Sequence, residues 1–371
     1  MLPAPPRHPF RLADVMTDSL AALAARPGPL GLPPLRHAIV VLVDGLGAAG
    51  LRGRTGHART LAATLGKGAV ADTVFPSTTA AALASLTTGV APGGHGLVGY
   101  DVLDPSRDRV VNLLRGWGGA MVPEAWQTVP TVFERAVAEG VAAAAIGPAH
   151  FAGSGFSRAV LRGADYLAVD GVAARLERSL EHAAAHPRSL SYVYIPELDR
   201  AGHRHGTDSP EWIEALEETD AAIGAVLGRL DRRTGLLVTA DHGMVDVPAA
   251  GHVLLAPELL AGVRHVAGEP RCLQLHLHPG VDPASVSARL APAVEGVGWV
   301  ATRAEAIAAD LFGPVDPAVE PRIGDLLVGA RKRVAFYADG DDPARRMVGQ
   351  HGSLTSEETT VPLLRFGALA E

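Results

Sequence analysis

The chain has 371 residues, of which 47% are hydrophobic and 20% are charged, with a formal net charge of −7 and one cysteine. A chain of this length can bury an extensive core, so we expect one large domain with a smaller insertion. The acidic balance and the lack of a basic stripe argue against duplex nucleic acid as a partner. Cys272 alone cannot form an internal disulfide.

The N-terminal segment has no uninterrupted apolar run, because charged residues divide it: Arg7, Arg11, Asp14 and Asp18. A signal peptide requires such a run, so none is predicted. No later stretch of about 18 apolar residues predicts a membrane span. We therefore expect a cytoplasmic protein without a membrane segment.

Five short apolar runs, each bounded by turn residues, predict buried parallel strands. They cover residues 37–43, 69–74, 141–146, 190–195 and 236–240. Segments with helical spacing lie between them, at residues 131–139, 172–184 and 211–230. This alternation predicts an α/β fold with a doubly wound, mostly parallel sheet and helices on both faces.

The pattern changes after residue 250 to shorter strands, at residues 271–278, 323–329 and 333–337. It predicts a hairpin-rich α+β insertion over residues 251–345 that caps the core. The core then consists of residues 1–250 plus 346–371 and closes with an apolar run at residues 361–366.

Three of the predicted parallel strands are followed by an aspartate. These are Asp44 in VVLVDGLG, Asp199 in YVYIPELDRAGH and Asp241 in LLVTADHGM. The carboxyl ends of parallel strands face one crevice, so the three carboxylates converge there. Because they would repel each other without a cation between them, the sequence predicts a site with more than one metal ion.

Histidines accompany these acids. His203 lies four residues after Asp199, on the same face of a helical turn, and His242 directly follows Asp241. His351, in VGQHGSLT, is a third potential ligand, whereas the spacing does not favour His205. A ligand set of aspartate and histidine without a thiolate suits zinc, with manganese as the second choice.

A small-residue helix is predicted to begin near residues 77–79, in FPSTTAAALASLTTG. The N–H groups and dipole at a helix start favour a phosphate group. Coordination to a divalent metal lowers the pKa of a threonine hydroxyl enough to make it a nucleophile. Spacing alone places both Thr78 and Thr79 for this role.

Six motifs in series carry a resemblance to a known family. They are VDGLG with Asp44, FPSTT, the HG within residues 93–96, Asp199-x-x-x-His203, DHGM and the HG of His351. In this order, across residues 38–355, they resemble the nucleotide pyrophosphatase/phosphodiesterase branch of the alkaline phosphatase superfamily. The resemblance implies hydrolysis of a phosphodiester or phosphoanhydride bond, with a nucleotide as the leading small-molecule substrate class.

The resemblance also implies roles for individual residues. One metal ion would be held by Asp199, His203 and His351, and the other by Asp44, Asp241, His242 and the nucleophile. Alignment of FPSTT with the family pattern places the nucleophile at Thr79, which would form a covalent phospho-enzyme intermediate. No oligomeric state is implied.

Two tyrosines leave questions about the substrate open, because one differs from the family pattern and the other has two interpretations. Tyr100 stands where the family has an asparagine that hydrogen-bonds the phosphoryl group, which leaves phosphomonoester or phosphonate hydrolysis as an alternative, and a phosphomutase as a weaker one. Tyr194 matches an aromatic residue that stacks on the base in some relatives, with core packing as the other interpretation.

Among the remaining histidines, His95 is interpreted as a turn residue, and His276 and His278 as part of an exposed strand face.

Overall fold

A computed structural model describes residues 2–3, 8–66, 68–118 and 121–370. Within these residues the α-helices are α1 Leu12–Leu23, α2 Ala48–Arg52, α3 Arg59–Ala62, α4 Thr79–Thr88, α5 Pro92–His95, α6 Pro123–Trp126, α7 Val132–Ala138, α8 Gly155–Val160, α9 Val172–Ala185, α10 Glu197–His205, α11 Pro210–Leu227, α12 Pro283–Val294, α13 Arg303–Ala308 and α14 Ser356–Thr359. The strands are β1 His37–Val43, β2 Val70–Asp72, β3 Asp101–Asp104, β4 Arg109–Asn112, β5 Ala142–Gly147, β6 Asp165–Ala168, β7 Ser189–Ile195, β8 Thr234–Thr239, β9 Val245–Asp246, β10 His252–Leu254, β11 Val263–Glu269, β12 Cys272–Leu277, β13 Gly298–Thr302, β14 Leu326–Ala330, β15 Ala335–Tyr337, β16 Gly349–Gln350 and β17 Thr360–Gly367.

The larger sheet has seven strands in the described part of the chain, in the order β2-β17-β8-β1-β7-β5-β6. Strand β1 pairs in parallel with β7 and β8, and β5 pairs in parallel with β6 and β7, whereas β17 runs antiparallel to both of its neighbours. Helices α1, α7 and α9 pack against these strands. The prediction of an α/β fold with a mostly parallel sheet flanked by helices is confirmed.

The predicted strands of this sheet are all present. Strand β1 has the predicted limits, and β5, β7 and β8 differ from prediction by one or two residues at an end. All seven residues of β1 are buried because it lies in the centre of the sheet and both of its faces are covered.

The smaller sheet has six described strands in the order β13-β14-β12-β11-β3-β4, and all of its pairs are antiparallel. Four of these strands come from the region predicted as an insertion, whereas β3 and β4 come from residues 101–112. Strands β11 and β3 pair through Gly268 and Asp101. The predicted boundaries at 251 and 345 remain a prediction, but the sheet that they contain also includes chain from the first half.

Four hydrophobic clusters form the interior of the described residues, the largest around the larger sheet and the next two on the faces of the smaller one. No helix in the described ranges has both the length and the apolar composition that a membrane crossing requires.

Candidate active site

The three aspartates meet at the carboxyl edge of the larger sheet. Strands β7, β1 and β8 are adjacent and parallel there. Asp44 directly follows β1, Asp241 follows β8 after one intervening residue, and Asp199 lies in the first turn of the helix that succeeds β7. The loops after β1 and β8 pack so closely that a Cβ atom on Gly47 would lie 2.7 Å from Gly243 Cα, which requires glycine there.

His242 is at the centre of the first group of side chains. Its Nε2 atom lies 3.4 Å from Asp44 Oδ1, 3.3 Å from Asp241 Oδ2 and 3.1 Å from Thr79 Oγ1. Potential ligand atoms of Asp44, Asp241 and His242 all lie within 4.8 Å of one another, and all three residues are buried. Four of the residues predicted from the sequence are therefore brought together at one point.

A second group adjoins the first. His203 Nε2 lies 3.3 Å from Asp199 Oδ1 and 3.3 Å from His351 Nε2, and His351 Nε2 lies 4.0 Å from Asp199 Oδ1. The rings of His351 and His242 are stacked with their centroids 3.5 Å apart. Potential ligand atoms of Asp199, His242 and His351 also lie within 4.8 Å of one another, so His242 borders both groups.

Backbone carbonyls orient the three imidazole rings. The Nδ1 atoms of His203, His242 and His351 lie 2.8, 3.2 and 2.8 Å from the carbonyl oxygens of Gly349, Gly243 and Ser77. A carbonyl can only accept, so each Nδ1–H donates and each Nε2 keeps a lone pair directed into the site. This arrangement is typical of histidines that ligate a metal through Nε2.

The aspartates have buried oxygens without a hydrogen-bond partner: Asp44 Oδ1, Asp199 Oδ1 and Asp241 Oδ2. Burial, followed by the charges of Asp199 and Asp241, raises the pKa of Asp44 well above its usual value. Burial and the neighbouring histidines lower the pKa of His351 well below its usual value. Because buried charges and unpaired buried oxygens are both costly, divalent cations fit this donor set.

Thr79 is the first residue of α4, and it follows Thr78 at the N-cap position. The helix is buried throughout, and the first N–H groups of an α-helix have no intrahelical acceptor. The hydroxyl of Thr79 contacts His242, whereas the buried Thr78 hydroxyl makes no capping hydrogen bond and has no partner of normal geometry. The structure thus brings Thr79, and not Thr78, to the aspartate–histidine groups.

Tyr194 lies beside the aspartates. Its hydroxyl donates a hydrogen bond to Asp44 Oδ2, while its ring stacks on Tyr192 at 6.3 Å and meets Phe151 edge-on at 5.7 Å. Burial and the charge of Asp44 raise the pKa of Tyr194 well above its usual value, so the hydroxyl is a donor. Sequence reasoning considered base stacking or core packing for this residue and missed the contact with Asp44.

Tyr100 lies at the start of the smaller sheet, directly before β3. Its backbone N–H donates to Glu269 Oε2 at 3.1 Å. Glu269 was not singled out from the sequence, because it is an isolated acid at the end of a strand in the predicted insertion.

A buried ion pair missed by sequence reasoning joins the second sheet to the segment that follows His351. Arg271 Nε and Nη2 donate to the two carboxylate oxygens of Glu358 at 2.7 Å each, and both side chains are fully buried. Glu358 also accepts from the backbone N–H of Ser353 at 2.9 Å. This pair fixes the segment that carries His351 against the smaller sheet.

Other histidines have local roles. His95 is buried, with Nε2 2.8 Å from Ser85 Oγ and Nδ1 accepting from Leu97 N–H, and burial lowers its pKa to about 3. The expectation of an exposed face for His276 was wrong: it is 3% exposed, because β12 lies inside the smaller sheet, and burial lowers its pKa to about 4. His278 lies beyond the end of that strand and is exposed.

Comparison with known proteins identifies a family and several relatives of this chain. The sequence profile of the family described as type I phosphodiesterase / nucleotide pyrophosphatase matches residues 38–354. Ectonucleotide pyrophosphatase/phosphodiesterase family member 7 of Homo sapiens is 36% identical over 63 residues, which are 16% of this chain and 14% of that protein. Venom phosphodiesterase CdcPDE of Crotalus durissus collilineatus is 25% identical over 185 residues, 47% of this chain and 22% of that protein. The matched stretches therefore span less than a quarter of these curated relatives.

Solved structures share the fold. Murine ectonucleotide pyrophosphatase/phosphodiesterase 5 matches with a TM-score of 0.69 at 19% identity, over 89% of this chain and 88% of that chain. An inactive variant of the same murine protein, in complex with AMP, matches with a TM-score of 0.68 at 19% identity over the same shares.

Proposed function

Because the chain belongs to the type I phosphodiesterase / nucleotide pyrophosphatase family, we propose that it hydrolyses phosphodiester or phosphoanhydride bonds of nucleotides at a site for two metal ions. The family consists of metal-dependent hydrolases. The observation that carries the proposal is the convergence of unpaired aspartate oxygens, inward-facing imidazoles and one threonine hydroxyl at a single sheet edge. A cytoplasmic location remains a prediction.

The proposed ligands form two sets. Asp199, His203 and His351 would hold one ion, and Asp44, Asp241, His242 and Thr79 the other. Oxygen and imidazole donors without a thiolate favour zinc, with manganese as the alternative. When bound, such ions supply positive charge for the phosphate ester and lower the pKa of a coordinated hydroxyl.

The residues of the chain would then act as follows. Thr79 Oγ1 attacks phosphorus in line with the departing oxygen. The new Oγ1–P bond forms as the leaving-group P–O bond breaks, and the threonine proton passes through solvent to the departing oxygen. The N–H groups in the first turn of α4 would donate to the phosphoryl oxygens and stabilise their charge. Water then cleaves the Oγ1–P bond and restores the Thr79 hydroxyl.

The alternative of phosphomonoester hydrolysis rests on Tyr100. In the family, an asparagine at this place contacts the phosphoryl group through its side-chain amide. Tyr100 has no side-chain amide, and its backbone N–H donates to the buried Glu269 carboxyl. A monoester carries one more negative charge than a diester, so the donors around this position influence the choice between the two.

The experiment compares hydrolysis of bis(p-nitrophenyl) phosphate and p-nitrophenyl phosphate by purified protein, before and after chelation and after addition of zinc. We expect zinc-dependent cleavage of the diester. Thr79→Ala should lower kcat by at least about 1,000-fold, as loss of a nucleophile does elsewhere. Thr87→Ala, near the other end of α4, is the matched control, since its hydroxyl donates to Leu83 O within the helix. Preference for the monoester would show that the proposed diester substrate class is wrong. Full activity of Thr79→Ala would show that Thr79 is not the nucleophile.

A further inference from the structure

Two buried oxygens beside the active site remain unexplained by the proposed metal ions. They are Thr78 Oγ1 and Glu269 Oε1, neither of which has a hydrogen-bond partner of normal geometry. Thr78 is 1% exposed and Glu269 6% exposed. Glu269 does not belong to the groups of aspartate and histidine side chains that could hold a metal ion in the described residues. Burial of an unpaired hydroxyl and an unpaired carboxyl oxygen is unfavourable unless a ligand or each other satisfies them.

Glu269 reaches this position from the end of β11. A Cβ atom on Gly352 would lie 2.4 Å from Glu269 Cγ and 3.0 Å from Oε1, and Gly352 has a φ of +131°. Only glycine allows this approach, and Gly352 directly follows the proposed ligand His351. The Glu269 carboxyl therefore lies against the segment that carries His351.

Ser77, the residue directly before Thr78, contacts the same segment through its backbone and its side chain. Ser77 O receives the hydrogen bond from His351 Nδ1, and Ser77 Oγ receives one from the Gly352 N–H at 3.2 Å. The start of α4 is thus tied to the segment beside Glu269. Thr78 directly precedes the proposed nucleophile, and its hydroxyl is not used to cap the helix.

The surroundings of Glu269 favour its neutral form. Burial raises its pKa well above the usual value, the carboxylates of Asp101 and Glu358 add to this, and the Tyr100 amide and the Thr78 hydroxyl oppose it. Across the hairpin, Cys272 is buried and its own raised pKa keeps the thiol neutral. Oε2 already accepts from the Tyr100 N–H, so in the neutral carboxyl Oε1 can carry the proton.

We propose that Glu269 and Thr78 form a hydrogen-bond relay to the substrate, in which the Glu269 carboxyl donates to Thr78 Oγ1 and the Thr78 hydroxyl donates to a non-bridging phosphoryl oxygen. This inference rests on the proposed function and deepens it. Thr78 is the group that contacts the substrate, and Glu269 is a positioning residue. The relay satisfies both buried oxygens when substrate is bound, and it supplies a donor where negative charge increases in the transition state.

The test compares Thr78→Val, Thr78→Ser, Glu269→Ala, Glu269→Gln and the double variant Thr78→Val/Glu269→Ala with the zinc-loaded wild type. Thr78→Val and Glu269→Ala should each lower kcat on the preferred ester by roughly 10- to 100-fold, the cost of one hydrogen bond to a charged group. Thr78→Ser and Glu269→Gln should recover most of this loss, because serine keeps the hydroxyl and the glutamine amide can donate. The double variant should be no slower than the slower single variant, because both changes remove one relay.

Two further readouts do not depend on turnover. Calorimetric binding of inorganic phosphate to the zinc-loaded protein should weaken in Thr78→Val and not in Thr219→Val, which removes a buried hydroxyl bonded to Ala215 O in α11. In metal-free protein, the infrared difference between wild type and Glu269→Gln should contain the C=O band of a protonated carboxyl. Thermal unfolding of every variant separates loss of the relay from loss of the fold.

The outcomes are distinguishable. A wild type that hydrolyses neither ester refutes the proposed function. An active wild type whose Thr78→Val variant keeps full activity and phosphate affinity overturns the relay alone. Loss in Glu269→Gln equal to that in Glu269→Ala also overturns it, because the carboxyl would then act as an acceptor. If Glu269→Ala does not fold, Thr78→Val and Glu269→Gln still decide the question.

Discussion

The larger and smaller sheets contribute different kinds of group to the active site. The larger sheet places Asp44, Asp199 and Asp241 at the ends of adjacent parallel strands, where the backbone itself makes them converge. The smaller sheet approaches from the side with Glu269 and Arg271, which contact the segments that carry the proposed ligands. The comparison indicates that the larger sheet places the proposed metal ligands, and that the smaller sheet holds the surrounding segments in position.

The largest effect is expected for an aspartate of the larger sheet. Asp44→Ala removes a carboxylate from the centre of the site and should lower kcat/KM by about 1,000-fold or more while reducing the bound metal, measured by metal analysis of the purified protein. Asp231→Asn, an exposed acid shortly before β8 and so at the opposite end of that strand, is the control. Activity and metal content equal to those of the wild type in Asp44→Ala would show that Asp44 is not a metal ligand.

The buried ion pair of the smaller sheet should matter more for stability than for chemistry. Arg271→Met leaves the Glu358 carboxylate buried and uncompensated, so the free energy of unfolding in urea should fall by about 3–5 kcal/mol. Arg303→Met breaks a partly exposed pair with Asp325 and should cost no more than about 1 kcal/mol. A similar cost for the two variants would contradict the assigned role of the buried pair.

The contribution of the Arg271–Glu358 pair to the free energy of unfolding should depend on pH. Arg271 lowers the pKa of Glu358 from its unfolded value against the opposing effect of burial. A lowered pKa contributes stability that is present above the unfolded value and is lost as the pH falls through the folded value. Acid titration of unfolding should therefore show a smaller loss of stability below about pH 4.5 in Glu358→Gln than in wild type. An equal loss in both proteins would contradict the shift.

A smaller effect is expected at Tyr194. Tyr194→Phe removes the donor to Asp44 and should weaken metal affinity or activity by about 10-fold, the lower end for a group that orients a ligand. Tyr192→Phe is a close control, since the buried Tyr192 hydroxyl has no hydrogen-bond partner in the described residues. Metal titration of both variants measures the difference, and equal affinities would show that the Tyr194 hydroxyl does not orient Asp44.

The smallest effect tests whether the two sheets unfold together. Thr131 and Thr302 each form a capping box, the first before a helix of the core and the second in the predicted insertion. Alanine at either position should cost about 1 kcal/mol. In a single cooperative unit both changes shift the same denaturation transition, whereas an independent insertion would respond only to Thr302→Ala in a separate transition.

Local patterns predicted most of the larger sheet, although the edge strand β6 was not among the predicted strands. Strand β1 is a continuous apolar run with turn residues at both ends, so its limits could be read directly. The spacing of Asp199 and His203 placed both side chains on one helical face, and they lie 3.3 Å apart. Each of these signals is contained within a few residues.

The smaller sheet could not be predicted in the same way, because its pairs join distant parts of the chain. Nothing in residues 101–112 indicates that they pair with β11. Glu269 is a single acid without a partner nearby in sequence, and His276 was expected on an exposed face because alternation does not reveal that β12 is covered on both sides. Such positions depend on tertiary pairing, which single-sequence periodicity does not contain.

The most direct test of the central proposal is to trap the covalent intermediate. Zinc-loaded protein mixed with bis(p-nitrophenyl) phosphate, quenched in acid and digested, should yield a peptide whose Thr79 carries the phosphoryl group with its remaining ester, as located by fragmentation in a mass spectrometer. The same modification on Thr78, or active protein that never carries it, would contradict Thr79 as the nucleophile.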